Sequence, residues 1–110
     1  MNQSVDPGNC SASEPFALRV VGDDMAPEFC DGHIVIIDPG GRVASGCFVI
    51  AKLDDELILR QLIIDGEHWL LRAPAAAIDD VPLGGGLSDI VGVVSQRAGK
   101  RRREHKRYDV

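Results

Sequence analysis

Apolar residues fall along this chain in short, β-branched runs broken by turn residues, at intervals that suit strands rather than helices of ordinary length. The runs at 16–21, 34–37, 48–53, 57–64, 68–72 and 90–95 predict strands, and their spacing predicts an all-β domain. The punctuation between them has a mechanism. Asp38-Pro39-Gly40-Gly41 and Ile64-Asp65-Gly66-Glu67 combine glycine, which reaches positive φ, with aspartate, which bonds its own following backbone. Asp54-Asp55 suits a tight hairpin between two apolar strands. A helical turn is expected only near 26–29. The alanines at 75–77 favour helix, but Pro74, Pro82 and Gly84-Gly85-Gly86 bound them as a long loop. No internal repeat is present.

Residues 1–14 are rich in Ser, Asn, Asp, Gly and Pro without apolar periodicity, which predicts a disordered leader. The division expected is thus a leader at 1–14, a folded domain at 15–97 and a tail at 98–110. With 110 residues, 45% hydrophobic and 26% charged, the chain has the composition of one soluble globular domain with a single core. No apolar run approaches the roughly 20 residues that span a bilayer, and Met-Asn-Gln-Ser-Val-Asp lacks the basic and apolar regions of a signal peptide. The expectation is a cytoplasmic protein with no membrane contact. Cys10, Cys30 and Cys47 are too few and too scattered for a disulfide framework and read as free thiols. Cys30-Asp31-Gly32-His33 offers two soft ligands, short of the four a zinc site takes, so neither a metal nor another cofactor is expected.

The net charge of −5 conceals an asymmetry. Residues 1–96 hold 5 Lys/Arg against 15 Asp/Glu, and residues 97–110 hold 7 against 2. An acidic body therefore carries a basic tail, in which Lys100, Arg101, Arg102, Arg103, Lys106 and Arg107 lie without a hydrophobic stripe. Such a segment is expected to project from the fold and to contact nucleic acid, an acidic protein surface or anionic lipid, or else to serve only as a solubilising terminus. Nothing makes a helix-turn-helix, so nucleic acid could be met only through the tail.

The chemistry of interest lies in Val21-Gly22-Asp23-Asp24-Met25-Ala26-Pro27, followed by Asp31-Gly32-His33-Ile34-Val35-Ile36-Ile37-Asp38, then Gly46-Cys47-Phe48-Val49-Ile50-Ala51 and Ile90-Val91-Gly92-Val93-Val94. These segments, in this order, resemble those of LexA- and UmuD-like self-cleaving serine peptidases: the nucleophile box, an Asp-Gly-Asp turn with its strand, the strand before the lysine strand, and the closing strand. The resemblance runs from about residue 16 to residue 96. It implies a mostly β fold, the curled, barrel-like antiparallel domain shared with phage repressors and signal peptidases. It also implies that Asp24 stands where the nucleophilic serine would be, Arg60 where the lysine base would be, and Asp23 and Met25 beside the oxyanion region.

In such peptidases a buried, neutral lysine takes the serine proton, and backbone N–H groups hold the oxyanion. Arg60 cannot serve as base, because its guanidinium stays protonated and offers no acceptor. Asp24 is no better as a nucleophile, since its attack on an amide would give an unstable anhydride. Asp23 and Asp24 are adjacent, and on an extended backbone neighbours point to opposite faces, which excludes the shared-proton dyad of aspartic proteases. The replacements instead predict a charge-assisted Asp24–Arg60 pair across the old groove, bidentate in its tightest form, whose disruption would cost roughly 3–5 kcal/mol if buried; the alternative is two solvated groove residues that never meet. His33, in place of the second acid of Asp-Gly-Asp, reads as a turn histidine. The loop Ala73-Pro74-Ala75-Ala76-Ala77-Ile78 lacks the polar and aromatic groups the family often carries there. The chain also begins too close to the box to hold a cleavable linker, and so resembles a processed product.

What the resemblance implies is a catalytically inactive peptidase-fold module that acts by binding. The partners expected are a second copy or a related active protein in a dimer, and a peptide or protein segment in the groove. In the family this domain pairs protomers, and the UmuD branch binds a translesion polymerase. The alternative is an active, self-cleaving serine-peptidase domain of a stress-response or phage-type transcriptional regulator.

Overall fold

The computed structural model describes residues 14–75, 79–84 and 86–108. The expected leader therefore lies, apart from Glu14, outside the described residues, as do 76–78 of the alanine loop. Each predicted run forms a strand: β1 (Phe16–Arg19), β2 (Ile34–Asp38), β3 (Phe48–Leu53), β4 (Glu56–Asp65), β5 (His68–Arg72) and β7 (Ile90–Ala98). Two more strands, β6 (Val81–Pro82) and β8 (Lys106–Arg107), are too short for any alternation to announce them. Pro82 is tolerated because β6 is an end strand that pairs with β5 alone.

All pairings are antiparallel, in the spatial order β1-β2-β7-β3-β4-β5-β6, with β8 added beside β7. The strands at the two ends of this path, β1 and β6, do not pair with each other, so the sheet curls without closing. Register shifts at Ile36/Ile37 against β7 and at Ile50/Ala51 against β7 mark bulges that bend the central strands. Gly92 sits at this bend. A β-carbon there would lie 2.6 Å from Ile37 Cγ2 and 3.1 Å from the Asp38 carbonyl, so only glycine lets β2 approach β7 so closely. At the β3–β4 hairpin, Asp54 and Asp55 take φ of 49° and 66°, the pair of positive angles a two-residue turn needs to follow the strand twist.

Curling places apolar side chains on both faces of the central strands. Alternation in β3 sends Ile50 to one cluster, with Val20, Met25, Phe29, Val35, Ile37, Ala73 and Val94. It sends Val49 and Ala51 to the other, with Leu62, Leu71, Leu83 and Val93. The expected single core is thus divided by the sheet into two packed layers that share β3 and β7. Near 26–29 the expected turn is present as one α-type turn, with Phe29 N–H donating to Met25 O at 3.0 Å, and its purpose is to bury Phe29 completely.

The tail departs most from expectation. Instead of projecting, residues 99–108 fold back: 102–104 form a 3-10 turn, and β8 pairs with the end of β7 through Gln96↔Arg107 and Arg97↔Lys106. The cause is Tyr108, whose ring packs on Phe29 and Phe48 with centroids 5.7 and 5.8 Å away. One aromatic residue supplies the apolar anchor that the basic run itself lacks.

Candidate functional site

The loop after β1 is shaped by its own carboxylates. Gly22, at φ +88°, turns the chain, and its N–H donates to Asp31 Oδ1 at 2.7 Å. Asp31 N–H donates in turn to Asp23 Oδ1 at 3.0 Å. Asp23 is thereby used up inside the loop and does not line the groove. Asp24, the next residue, lies in the turn that follows and lines the groove, and its carbonyl accepts the Ala75 N–H at 3.0 Å. Met25 follows as a buried side chain, 2% exposed, that lines the groove beside Asp24.

The groove itself is about 310 Å³, with Leu18 to Gly22, Asp24 and Met25 on one wall and Leu57 to Arg60 of β4 on the other. Val35 and Ile50 lie at its base. Among the described residues both walls are strand edges without a further partner. β1 ends the sheet, and β4 pairs with β5 only from Gln61 onward, which leaves its residues 56–60 bonded to β3 alone. Val21 and Leu57, 86% and 53% exposed, stand on the rim. Both escaped the sequence reading, although strict alternation from Phe16 places Val21 outside.

Asp24 and Arg60 meet across this groove, with Arg60 Nη2 3.8 Å from Asp24 Oδ2. That is an ion-pair contact and too long for a hydrogen bond, so the expected bidentate fork is not formed. Arg60 Nη1 instead donates to the Leu59 carbonyl at 2.8 Å. The Arg60 side chain is mostly buried and that of Asp24 is 60% exposed, so the pair is half solvated and its coupling falls in the range of surface pairs, about 0–1 kcal/mol. The 3–5 kcal/mol expected of a buried pair does not apply here.

A second constellation fastens the tail, and nothing in the residue pattern beyond a lone Tyr announces it. Glu28 accepts hydrogen bonds from Lys106 Nζ at 2.8 Å and from the Tyr108 hydroxyl, while Arg97 Nη1 lies 3.7 Å from the same carboxylate oxygen. Burial pushes the Glu28 carboxyl up, but the Lys106 and Tyr108 bonds and the two cations outweigh it and hold it below its ordinary value. Burial and then Glu28 push the Tyr108 phenol far up. His33 is a turn residue as expected, and also a clasp. Its Nδ1 accepts the Cys30 N–H at 2.9 Å, so Nε2 carries the proton and donates to Glu104 Oε1 at 3.1 Å. That bond, with the Arg101 N–H, lowers the Glu104 carboxyl.

Arg101, Arg102 and Arg103 stand on the 3-10 turn, with Lys100 before it and Arg107 beyond, whereas Lys106 is turned to Glu28. Cys30 and Cys47 are free, and Cys10 lies outside the described residues. Among the described residues no group of three or more His, Cys, Asp or Glu side chains is placed to hold a metal ion. Nor is any described helix long and apolar enough to cross a membrane.

Residues 3–95 match the family model described as Peptidase S24-like. The chain is 38% identical over 88 residues to an HTH-type transcriptional regulator for the conjugative element SXT of Vibrio cholerae, covering 74% of this chain and 40% of that protein. It is 32% identical over 74 residues to the LexA repressor of Vibrio atlanticus, covering 66% and 36%. To the prophage repressor CohE of Escherichia coli it is 37% identical over 60 residues, covering 53% and 27%. The chain thus spans about two fifths or less of the length of these curated relatives.

Proposed function

The chain belongs to the peptidase S24-like family, and on that premise we propose that it is a catalytically silent member that works by binding. The observation that carries this reading is the Asp24–Arg60 contact across the groove. Hydrolysis of an amide by this fold needs a nucleophile and a neutral acceptor for its proton. The facing pair consists of an anion and a guanidinium that has no lone pair to offer. The groove remains serviceable for another task. Among the described residues two strand edges without a further partner flank it, and an extended segment laid between them can bond to either edge while Val21 and Leu57 take its apolar side chains.

The occupant we propose is an extended protein segment with apolar residues and a basic group opposite Asp24. A second part of the proposal is pairing, with another copy or with a related active protein, in the setting of a transcriptional regulator such as the relatives' names describe. Incubation at alkaline pH, alone and with an unstructured protein substrate, followed by mass spectrometry, tests the silence. A specific cut that disappears in Asp24→Ala would establish the rival reading of an active peptidase. Light scattering at high concentration tests the pairing: a strict monomer defeats it.

A further inference from the structure

The folded-back tail creates a surface that the groove does not explain. Its turn is held by buried or half-buried bonds: Arg97 Nε to the Glu104 carbonyl at 2.8 Å, Arg97 Nη1 to the Glu28 carbonyl at 2.6 Å, His33 to Glu104, and Tyr108 N–H to the Ser95 carbonyl at 2.9 Å. Arg97 is spent on this scaffolding, and Lys106 on Glu28. Lys100, Arg102, Arg103 and Arg107 have no acidic partner within ion-pair distance among the described residues. Arg101 forms no ion pair either, but its charge acts on Glu104 and helps lower that carboxyl, so it stands apart from these four. Lys100 and Arg103 also line a depression of about 490 Å³, but Asp31 and Glu104 line it too, so the cationic surface lies on the turn rather than in this depression.

We propose that this ordered basic turn binds the phosphate backbone of nucleic acid without reading its sequence. Four unpaired cations on a fixed turn present a repeated positive charge whose ordering is already complete before a partner arrives. An acidic protein partner is the weaker fit, because a protein interface is built around an apolar centre. The large exposed apolar side chains Val21, Leu57, Val81 and Leu87 belong to other segments, and only Ile34, opposite Ala98, lies near the base of the turn. Sequence reading is excluded by shape: the turn and the two-residue β8 offer no helix or long ribbon to enter a major groove. The acidic remainder of the chain confines contact to this face.

The test uses the whole chain and a short fluorescein-labelled DNA duplex of arbitrary sequence, with anisotropy measured across a salt series. Engagement of the four cations gives a slope of about −3.6 in log K against log salt, or roughly a hundredfold loss of affinity between about 50 and 200 mM. A second duplex of scrambled sequence should bind equally well. R102Q/R103Q should halve the slope while Trp69 fluorescence reports an intact fold. The proposal is overturned by absence of binding at about 50 mM salt, or by a K100Q/R102Q/R103Q/R107Q chain that binds like the parent. It is also overturned if polyglutamate displaces the duplex at equal charge concentration, which would assign the turn to an acidic protein.

Discussion

Tyr108→Phe removes one oxygen and leaves the ring against Phe29 and Phe48, so it isolates the bond that closes the tail. The lost interaction is a hydroxyl donating to the Glu28 carboxylate at 2.5 Å. Bonds to a charged acceptor contribute about 1.5–3 kcal/mol. Here the carboxylate keeps Lys106 and Arg97, and it is 28% exposed, so water replaces part of what is lost. The expected cost is about 1–2 kcal/mol. Urea unfolding followed by the fluorescence of Trp69, the single tryptophan, measures it, with an unchanged m-value as the sign that both states are otherwise intact. Combining Tyr108→Phe with Glu28→Gln should give a coupling near 1 kcal/mol. The pH dependence fixes the sign. The Glu28 carboxyl is lowered from 4.5, so its contribution is complete above that value and is lost as pH falls through the folded one. The phenol is raised from 10.0, so its contribution is complete below that value and is lost as pH climbs through the folded one. Wild type and variant should therefore differ by a constant amount from about pH 5 to 9 and converge outside. A Tyr108→Phe chain within about 0.3 kcal/mol of wild type, or additivity in the cycle, would refute the account of a latched tail.

Other expectations rest on separate contacts. Gly92→Ala should destabilise the fold by about 1–3 kcal/mol in the same urea assay, because its methyl would collide with Ile37 and the Asp38 backbone. Asp55→Gly should stabilise it by about 0.5–1 kcal/mol, since φ of 66° is strained for aspartate and free for glycine. Single and double alanine replacements at Asp24 and Arg60 should show a coupling below about 1 kcal/mol that vanishes in high salt. Leu57→Glu should leave stability nearly unchanged, the side chain being exposed, yet abolish capture of apolar peptides selected on the parent chain by display.

Strands were legible because alternation is a local signal. Residues 48–53 and 68–72 gave β3 and β5 to the residue, and the Asp54-Asp55 dipeptide gave the hairpin. The Asp24–Arg60 encounter was also legible, since both positions are fixed by motifs in register, but its length was not. The 3.8 Å separation depends on where the Arg60 guanidinium finds a carbonyl, which no spacing encodes. The tail was misread for a related reason. Residues 100–107 are polar locally, and the contacts that order them come from Glu28 and His33, about seventy residues away, and from one tyrosine beyond the basic run. Composition speaks for a segment's own burial, and here the burial belongs to its neighbours. Likewise Asp23 read as a groove residue, whereas the Asp31 N–H, eight residues on, draws its carboxylate into the loop's own bonding.

The loop between β1 and β2 carries Asp24 and Met25 toward the groove and Glu28 and His33 toward the tail. Any occupant that favours one arrangement of this loop therefore acts on both ends of it. Linkage makes the effect reciprocal: by whatever factor a groove peptide changes the affinity of the basic turn for a polyanion, the polyanion changes the affinity for the peptide. If both proposed occupants bind, a loop that resembles a nucleophile box is a common term in two binding equilibria.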